Sequence, residues 1–163
     1  MLSRKFKEYF PNCLKKSIRK IKYIGQDITA FFRGSKRGDM VPPQRLTFTG
    51  AGDFESVGEK FLQYFVEIGG LRQNDKVLDV GCGIGRMAVS LTKYLSEDGS
   101  YDGFDIVPHG IEWCQKNITS KHPNFRFQLA DIRNKEYNPR GKYIASEFIF
   151  PYEDNVFDFV FLT

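Results

Sequence analysis

The sequence predicts an α/β fold with a doubly wound parallel sheet, and three observations support that prediction. Short apolar segments with a β-branched bias alternate with segments of helical period along residues 54–162. A glycine-rich loop at residues 81–85 follows the first apolar segment and precedes a helical one. An aspartate stands at or near the end of each of the first three apolar segments. This alternation is typical of a parallel sheet with helices on its faces and right-handed crossovers.

The first elements are a helix, a strand and a second helix. Residues 54–70 have apolar side chains at helical spacing and end in two glycines, which predicts an amphipathic helix. Residues 76–80, Lys-Val-Leu-Asp-Val, form a short apolar run followed by glycine, which predicts a buried strand. Residues 86–95 have the apolar content of the second helix.

The remaining elements repeat this pattern. Residues 101–106 predict a second strand, and residues 109–119 predict the helix that follows it. Residues 125–130 alternate at period two, which predicts a third strand. Residues 133–147 are polar and have no strong period, and residues 156–162 predict a fourth strand. The order agrees with a sheet in which each strand is followed by a crossover connection.

Positive charge is concentrated at the N-terminus. Residues 1–40 contain 11 Lys or Arg and 3 Asp or Glu, whereas the rest of the chain contains 13 and 17. Apolar residues fall near helical spacing in this basic arm, and a Gly- and Pro-containing linker follows it. Such an arm can lie on an anionic membrane surface, pack on the domain or remain a solvated helix. No RNA-binding motif accompanies the charge, so we expect no nucleic-acid partner.

The cysteines and histidines argue against two other classes of protein. Cys13, Cys82 and Cys114 are an odd number without close pairing, which argues against a disulfide framework. The sequence has no CxxC motif and only two histidines, so we expect no metal site. A reducing, cytoplasmic setting is the natural interpretation, with the arm as a candidate peripheral membrane contact. No apolar run is long enough to predict a spanning helix.

The glycine loop predicts a ligand site at the end of the first strand. Its sequence, Val-Leu-Asp-Val-Gly-Cys-Gly-Ile-Gly-Arg, differs from the dinucleotide pattern GxGxxG because the third glycine comes one residue early and Arg86 takes the sixth position. The Gly-Lys-Ser/Thr of a P-loop is absent. Asp79 stands two residues before the first glycine, which favours a cationic or amine-bearing ligand. Its alternative role is to cap nearby backbone amides.

Two further acids extend the predicted site. Asp105 ends the second strand, where a carboxylate can accept hydrogen bonds from a ribose diol, as in NAD sites and S-adenosylmethionine sites alike. Asp131 follows the third strand and could accept a hydrogen bond from the amino group of an adenine, and its alternative role is that of a turn or N-cap residue. Ile106 and Ile132 could flank the ring. Cys82 is expected to be a small packing residue rather than a nucleophile.

Four motifs in order give the sequence a family resemblance. VLDVGCGIGRMA resembles motif I of the class I S-adenosylmethionine-dependent methyltransferases, GFDI resembles their acidic second-strand motif and ADI their third-strand motif. Residues 150–160, FPYEDNVFDFV, resemble the segment that leads into strand four of the same family. The resemblance covers roughly residues 50–163. It implies a Rossmann-like doubly wound parallel sheet with seven strands in the order 3-2-1-4-5-7-6, of which this chain supplies four.

The resemblance also implies a domain organisation and an activity. Residues 1–43 would be a basic arm and linker, and residues 44–163 an S-adenosylmethionine-binding domain that is incomplete at its C-terminus. The expected function is methyl transfer to a small molecule, lipid or sugar, with no catalytic base assigned and the oligomeric state open. A cofactor-binding fragment without activity is the second hypothesis. An NAD-linked oxidoreductase is the third, and Arg86 in the loop disfavours it.

Each site residue then has an implied role. Three loop residues would line the methionine moiety, with Asp79 near its ammonium group. Asp105 would hold the ribose hydroxyls, and Asp131 would meet the adenine amino group between two isoleucines. The complete set of implied cofactor-binding residues is Asp79, Gly81, Cys82, Gly83, Asp105, Ile106, Asp131 and Ile132.

Overall fold

The computed structural model describes residues 21–25, 27–29, 32, 38–48 and 52–163. The predictions for residues 1–20 therefore lie outside the described residues. The labelled helices are α1, Phe54–Glu67, α2, Arg86–Leu91, and α3, Pro108–Cys114, which continues as a π-helical turn, Gln115–Thr119. The strands are β1, Lys76–Val80, β2, Ser100–Asp105, β3, Phe125–Leu129, and β4, Phe159–Leu162. Short 3-10 turns occur at Gln44–Leu46 and Ala145–Glu147.

The four strands form one parallel sheet in the order β3-β2-β1-β4. Val77 of β1 lies beside Tyr101 of β2 on one side and beside Phe159 of β4 on the other. The predicted α/β, Rossmann-like fold class is confirmed, and the strand order is the one expected for the first four strands. The carboxyl ends of β1, β2 and β3 therefore meet at one edge of the sheet.

The core lies on one face of this sheet. Alternate residues of a strand share a face, so the register places Val77, Asp79 and Tyr101 on the same side. Val77 and Tyr101 are completely buried, and the Tyr101 ring stacks on Phe125 at 5.1 Å between centroids. From α1, Phe65 packs against Phe161 of β4 with their ring centroids 4.3 Å apart. This face is thus the one that the helices cover.

The opposite face of the sheet is covered only in part, by side chains of its own strands and of the connection before β4. Asp102 of β2 pairs there with Arg126 of β3, with Nη2 2.6 Å from Oδ2. Phe104 contacts Phe150 of the long connection before β4, at 5.0 Å between ring centroids. Val160 and Leu162 of β4 are 58% and 75% exposed.

Helix α2 and strand β4 are shorter than predicted, for local reasons. Helix α2 ends at Leu91 and not at Leu95, because the next amides, of Lys93 and Tyr94, bond to carbonyls three residues back and tighten the chain into turns. Strand β4 begins at Phe159 and not at residue 156. The preceding Asp158 is tied to the start of β1, where its backbone N–H donates to the Lys76 carbonyl and its Oδ2 accepts the Lys76 N–H, both at 2.9 Å.

The arm contacts the segment that precedes α1. Residues 21–25, 27–29 and 32 are helical. The Asp27 carboxylate accepts hydrogen bonds from the backbone N–H of Gln44 at 3.0 Å and of Arg45 at 3.3 Å, and from the Arg45 guanidinium at 3.1 Å. The boundary after residue 43 stays a prediction. Among the described residues, none of the helices combines the length and the apolar content that a membrane span requires.

Candidate cofactor-binding site

The glycine loop leaves β1 and is fastened to the end of β2. The backbone N–H groups of Gly81 and Cys82 both donate to the Phe104 carbonyl, at 2.9 and 3.0 Å. The N–H of Gly85 donates to the Cys82 carbonyl at 2.9 Å and closes the turn. Gly81, Gly83 and Gly85 all have left-handed φ angles, of 88°, 58° and 81°. The loop conformation therefore depends on the glycine spacing that the sequence displays.

Two glycines permit close packing around this loop. A Cβ on Gly85, the N-cap of α2, would lie 2.7 Å from Ile118 Cδ1 and 2.9 Å from Cys114 Sγ. A Cβ on Gly110 of α3 would lie 2.7 Å from the Gly83 carbonyl oxygen. Cys114 and Ile118 thus lie too close to Gly85, and the Gly83 carbonyl too close to Gly110, for a larger residue at either glycine position.

Asp105 organises the loop from the end of β2. Its Oδ2 accepts the Gly83 N–H and its Oδ1 accepts the Val107 N–H, each at 2.8 Å. Each carboxylate oxygen can accept more than one hydrogen bond, so both retain acceptor capacity. Asp105 can therefore fix the backbone and still accept hydrogen bonds from a ligand diol.

Asp79 is the most deeply buried of the predicted site residues, with 1% of its surface exposed. Its Oδ2 accepts a hydrogen bond from the Tyr101 hydroxyl at 2.6 Å. The partner of this carboxylate is therefore a side chain and not the backbone amides of its alternative role. Within the described residues, its Oδ1 has no hydrogen-bond partner. Burial raises the pKa of Asp79 to about 7, and the Tyr101 hydrogen bond and the charge of Asp105 are smaller influences on it.

Cys82 faces the same interior. Its side chain is 6% exposed, and burial raises the pKa of its thiol well above the ordinary value. A thiol that is buried and protonated is a poor nucleophile. The structure thus agrees with the expectation that Cys82 is a packing residue of the loop.

The residues after β3 are held by their own loop. Asp131 Oδ1 accepts a hydrogen bond from Asn138 Nδ2 at 3.1 Å, and the Asp131 carbonyl accepts the Tyr143 N–H at 3.0 Å. Ile132 forms an isolated β-bridge with Tyr143. Ile106, Asp131 and Ile132 are half-buried. Asp131 is therefore linked to both Asn138 and Tyr143 of this loop, and its part in ligand binding stays a prediction.

An aromatic contact that no sequence pattern predicts lies beside the loop. The Phe48 ring lies 5.2 Å from the His109 ring in an edge-to-face arrangement and 6.2 Å from the Tyr137 ring. A Cβ on Gly83 would lie 3.8 Å from Phe48 Cζ. Phe48 thus contacts α3 and the loop after β3, and it lies beside Gly83 of the glycine loop. It belongs to no periodic segment, so no pattern in the sequence identifies it.

Metal ligands do not cluster in the described part of the chain. Within residues 21–25, 27–29, 32, 38–48 and 52–163, no group of three or more His, Cys, Asp or Glu side chains could hold a metal ion.

The parallel sheet and its glycine loop define a Rossmann-like α/β domain with a candidate ligand site at the carboxyl edge of β1, β2 and β3. A family model described as "Methyltransferase domain" matches residues 71–162, which is more than half of the chain. The chain belongs to this methyltransferase domain family. The predicted class of protein is thereby confirmed.

Individual relatives are more distant. The chain is 28% identical over 64 residues to a probable cobalt-precorrin-6B C(15)-methyltransferase (decarboxylating) of Thermoplasma acidophilum, covering 38% of this chain and 32% of the relative. It is 25% identical to a SAM-dependent methyltransferase structure from Aquifex aeolicus, covering 64% of this chain and 46% of that chain, with a TM-score of 0.43. It is 22% identical to the PH0226 protein of Pyrococcus horikoshii, covering 71% and 45%, with a TM-score of 0.47.

Each match therefore covers only part of this chain and only part of the relative. The chain spans about a third of the length of the curated relative and less than half of either structure. Family membership rests on the domain model, which covers β1 to β4 and the glycine loop.

Proposed function

We propose that this chain binds S-adenosylmethionine at the carboxyl edge of β1, β2 and β3, and that the protein transfers its methyl group to an acceptor. The observation that supports this most strongly is the buried Asp79 carboxylate, whose Oδ1 has no hydrogen-bond partner within the described residues. Such an atom favours a nearby positive charge, because a buried carboxylate is costly without compensation. Membership of the methyltransferase domain family supports the same assignment.

The methionine end of the cofactor fits the glycine loop. Asp79 has almost no exposed surface, so we infer that it acts on the ammonium through its electric field across Gly81, Cys82 and Gly83 and not by direct contact. Interactions of this kind are strong where the surroundings exclude water. A cation held there would favour the charged carboxylate and lower the pKa of Asp79 from about 7.

The nucleoside end fits the next two strands. Asp105 is fixed by the Gly83 and Val107 amides and keeps capacity for the two ribose hydroxyls. Asp131, held by Asn138, would accept the adenine amino group. Ile106 and Ile132, both half-buried, would cover the faces of the ring.

The chain's residues would contribute position and shielding to methyl transfer. The sulfonium of S-adenosylmethionine supplies an already activated methyl group, so alignment with the acceptor is the main requirement. We propose an acceptor of small-molecule, lipid or sugar type and assign no general base. In this proposal the described residues hold the cofactor and fix the direction of its methyl group.

Calorimetric titration with S-adenosylhomocysteine and, separately, with NADH tests the proposal. We expect saturable binding of S-adenosylhomocysteine and no comparable binding of NADH, because the loop lacks the GxGxxG spacing of a dinucleotide site. Tight NADH binding together with no binding of S-adenosylhomocysteine would overturn the proposal.

A further inference from the structure

The helical part of the arm displays a row of exposed apolar side chains. Ile21, Ile24, Ile28 and Phe32 are 70%, 37%, 50% and 82% exposed. Their separations of three, four and four residues place them on one face of a helix, which we call the arm stripe. Four large apolar side chains in a row on an exposed face are unusual, because such residues are ordinarily buried against the domain.

The other side of the same helix is the side attached to the domain. Tyr23 and Asp27 are one helical turn apart. Tyr23 is half-buried, and Asp27 is 6% exposed. Asp27 accepts the backbone N–H groups of Gln44 and Arg45 and forms an ion pair with the Arg45 guanidinium at 3.1 Å. These contacts fix which face of the helix meets the domain and leave the arm stripe exposed.

Charge and apolar surface coincide in this segment. Residues 1–40 have a balance of eight positive charges, whereas the rest of the chain has a net negative charge. Lys22 lies within the helical residues and is exposed, and Lys20 precedes it in the sequence. An exposed apolar face beside Lys and Arg is the pattern of a helix that lies in the interface of a bilayer. Its cations attract anionic headgroups while its apolar face enters the acyl boundary.

We propose that the arm stripe docks on the surface of an anionic lipid membrane and holds the methyltransferase domain there. The exposed apolar side chains favour a membrane over a nucleic acid as the partner. A nucleic-acid backbone is bound mainly through Lys and Arg contacts to phosphate, which would leave the three isoleucines in water. An anionic bilayer accounts for both features, because its headgroups attract the cations and its acyl boundary accepts the isoleucines. The proposal does not depend on which cofactor the domain binds.

Co-sedimentation of the full chain with vesicles tests the proposal. Vesicles of phosphatidylcholine with phosphatidylglycerol should bind the protein, and added salt should weaken the binding. Ile28→Gln should weaken it by about ten-fold, because burying one isoleucine contributes strongly to partitioning. Ile149→Gln is the matched control, since Ile149 is 87% exposed but lies outside the arm, and it should bind like the wild type. Glutamine preserves helix propensity and adds no charge.

Three results would overturn the proposal. The first is equal binding to neutral phosphatidylcholine vesicles. The second is an Ile28→Gln variant that binds like the wild type, or an Ile149→Gln variant that loses as much. The third is a short RNA duplex that displaces the vesicles and binds the wild type and Ile28→Gln equally, which would assign the basic arm to nucleic acid. Equal thermal midpoints of the variants and the wild type show that the domain remains folded. A lack of S-adenosylhomocysteine binding would leave the membrane result unaffected.

Discussion

The two halves of the candidate site are built by different means. The glycine-loop half, formed by Asp79, residues 81–83 and Asp105, is tied to the sheet and to the packed core. Asp105 accepts two backbone N–H groups, and Asp79 is 1% exposed and bonded to the fully buried Tyr101. The third-strand half, formed by residues 131–143, is held mainly by contacts within its own loop, such as that of Asp131 with Asn138.

This difference predicts where the site is rigid before a ligand binds. Groups fixed by core packing and strand ends open only when the domain unfolds, whereas a loop held by a few polar contacts opens locally at lower cost. We therefore expect the methionine and ribose positions to be preformed, and the adenine position to be completed when the ligand binds.

The largest expected effect is a dependence of stability on pH that originates in Asp79. Its pKa of about 7 in the folded protein exceeds the ordinary value near 3.8, so the folded state binds the proton more tightly than the unfolded chain. The stabilisation is complete below the unfolded pKa and is lost as the pH rises through about 7. Urea unfolding should show a loss on the order of 3 kcal/mol between about pH 5 and pH 8.

Asp79→Asn provides the comparison for this prediction. The amide has the same shape and does not titrate, so this dependence on pH should largely disappear. Replacing the exposed N-cap Asp53 by Asn should retain the wild-type slope, because the Ser56 hydrogen bonds lower the pKa of that carboxylate and it stays ionised throughout this pH range. An unchanged slope in Asp79→Asn would mean that the buried carboxylate is not the group that titrates.

Gly85→Ala tests whether the glycine-loop half depends on core packing. Gly85 and Gly70 have similar φ angles of 81° and 72°, but only at Gly85 would a Cβ meet the Ile118 and Cys114 side chains. Gly70→Ala therefore measures backbone strain alone, which costs about 1 kcal/mol. Gly85→Ala should lose about 2 kcal/mol more through overpacking. Equal losses in chemical denaturation would contradict the close packing described for this loop.

Phe48→Ala tests the link between the two halves, because the Phe48 ring contacts both His109 and Tyr137. Its loss should weaken S-adenosylhomocysteine binding by about ten-fold. Without the ring, the third-strand half would be ordered only on binding, and the cost of ordering it would reduce the affinity. Phe157→Ala is the control. Phe157 precedes β4 at the amino-terminal edge of the sheet, where it contacts Tyr152, and calorimetry should give it the wild-type affinity. Equal affinities for Phe48→Ala and the wild type would show that the two halves act independently.

Much of the glycine-loop half could be predicted from the sequence because its signals are local. The run 76–80 and the glycines after it define a strand, a turn and a helix start without knowledge of the rest of the chain. The partner of Asp79 could not be predicted in this way. Tyr101 reaches it only because β1 and β2 pair in parallel with Val77 beside Tyr101, and a register of this kind depends on the assembled sheet.

The third-strand half and Phe48 show a second limit of the sequence. The side-chain bond between Asn138 and Asp131 and the bridge between Ile132 and Tyr143 join residues of a stretch without a period. Phe48 is a single aromatic residue outside any amphipathic segment. Contacts made by tertiary structure alone leave no periodic pattern, so these residues could be identified only from the fold.

The amide spectrum of isotopically labelled protein during titration with S-adenosylhomocysteine tests the central claim most directly. The Gly83 and Val107 N–H groups both donate to Asp105, so both amides should shift on binding and saturate together. In Asp105→Ala the affinity should fall by at least about ten-fold, because the ribose acceptor and the anchor of the loop are lost together. Saturable binding that leaves both amides unshifted, or an Asp105→Ala variant with the wild-type affinity, would contradict the proposed cofactor site.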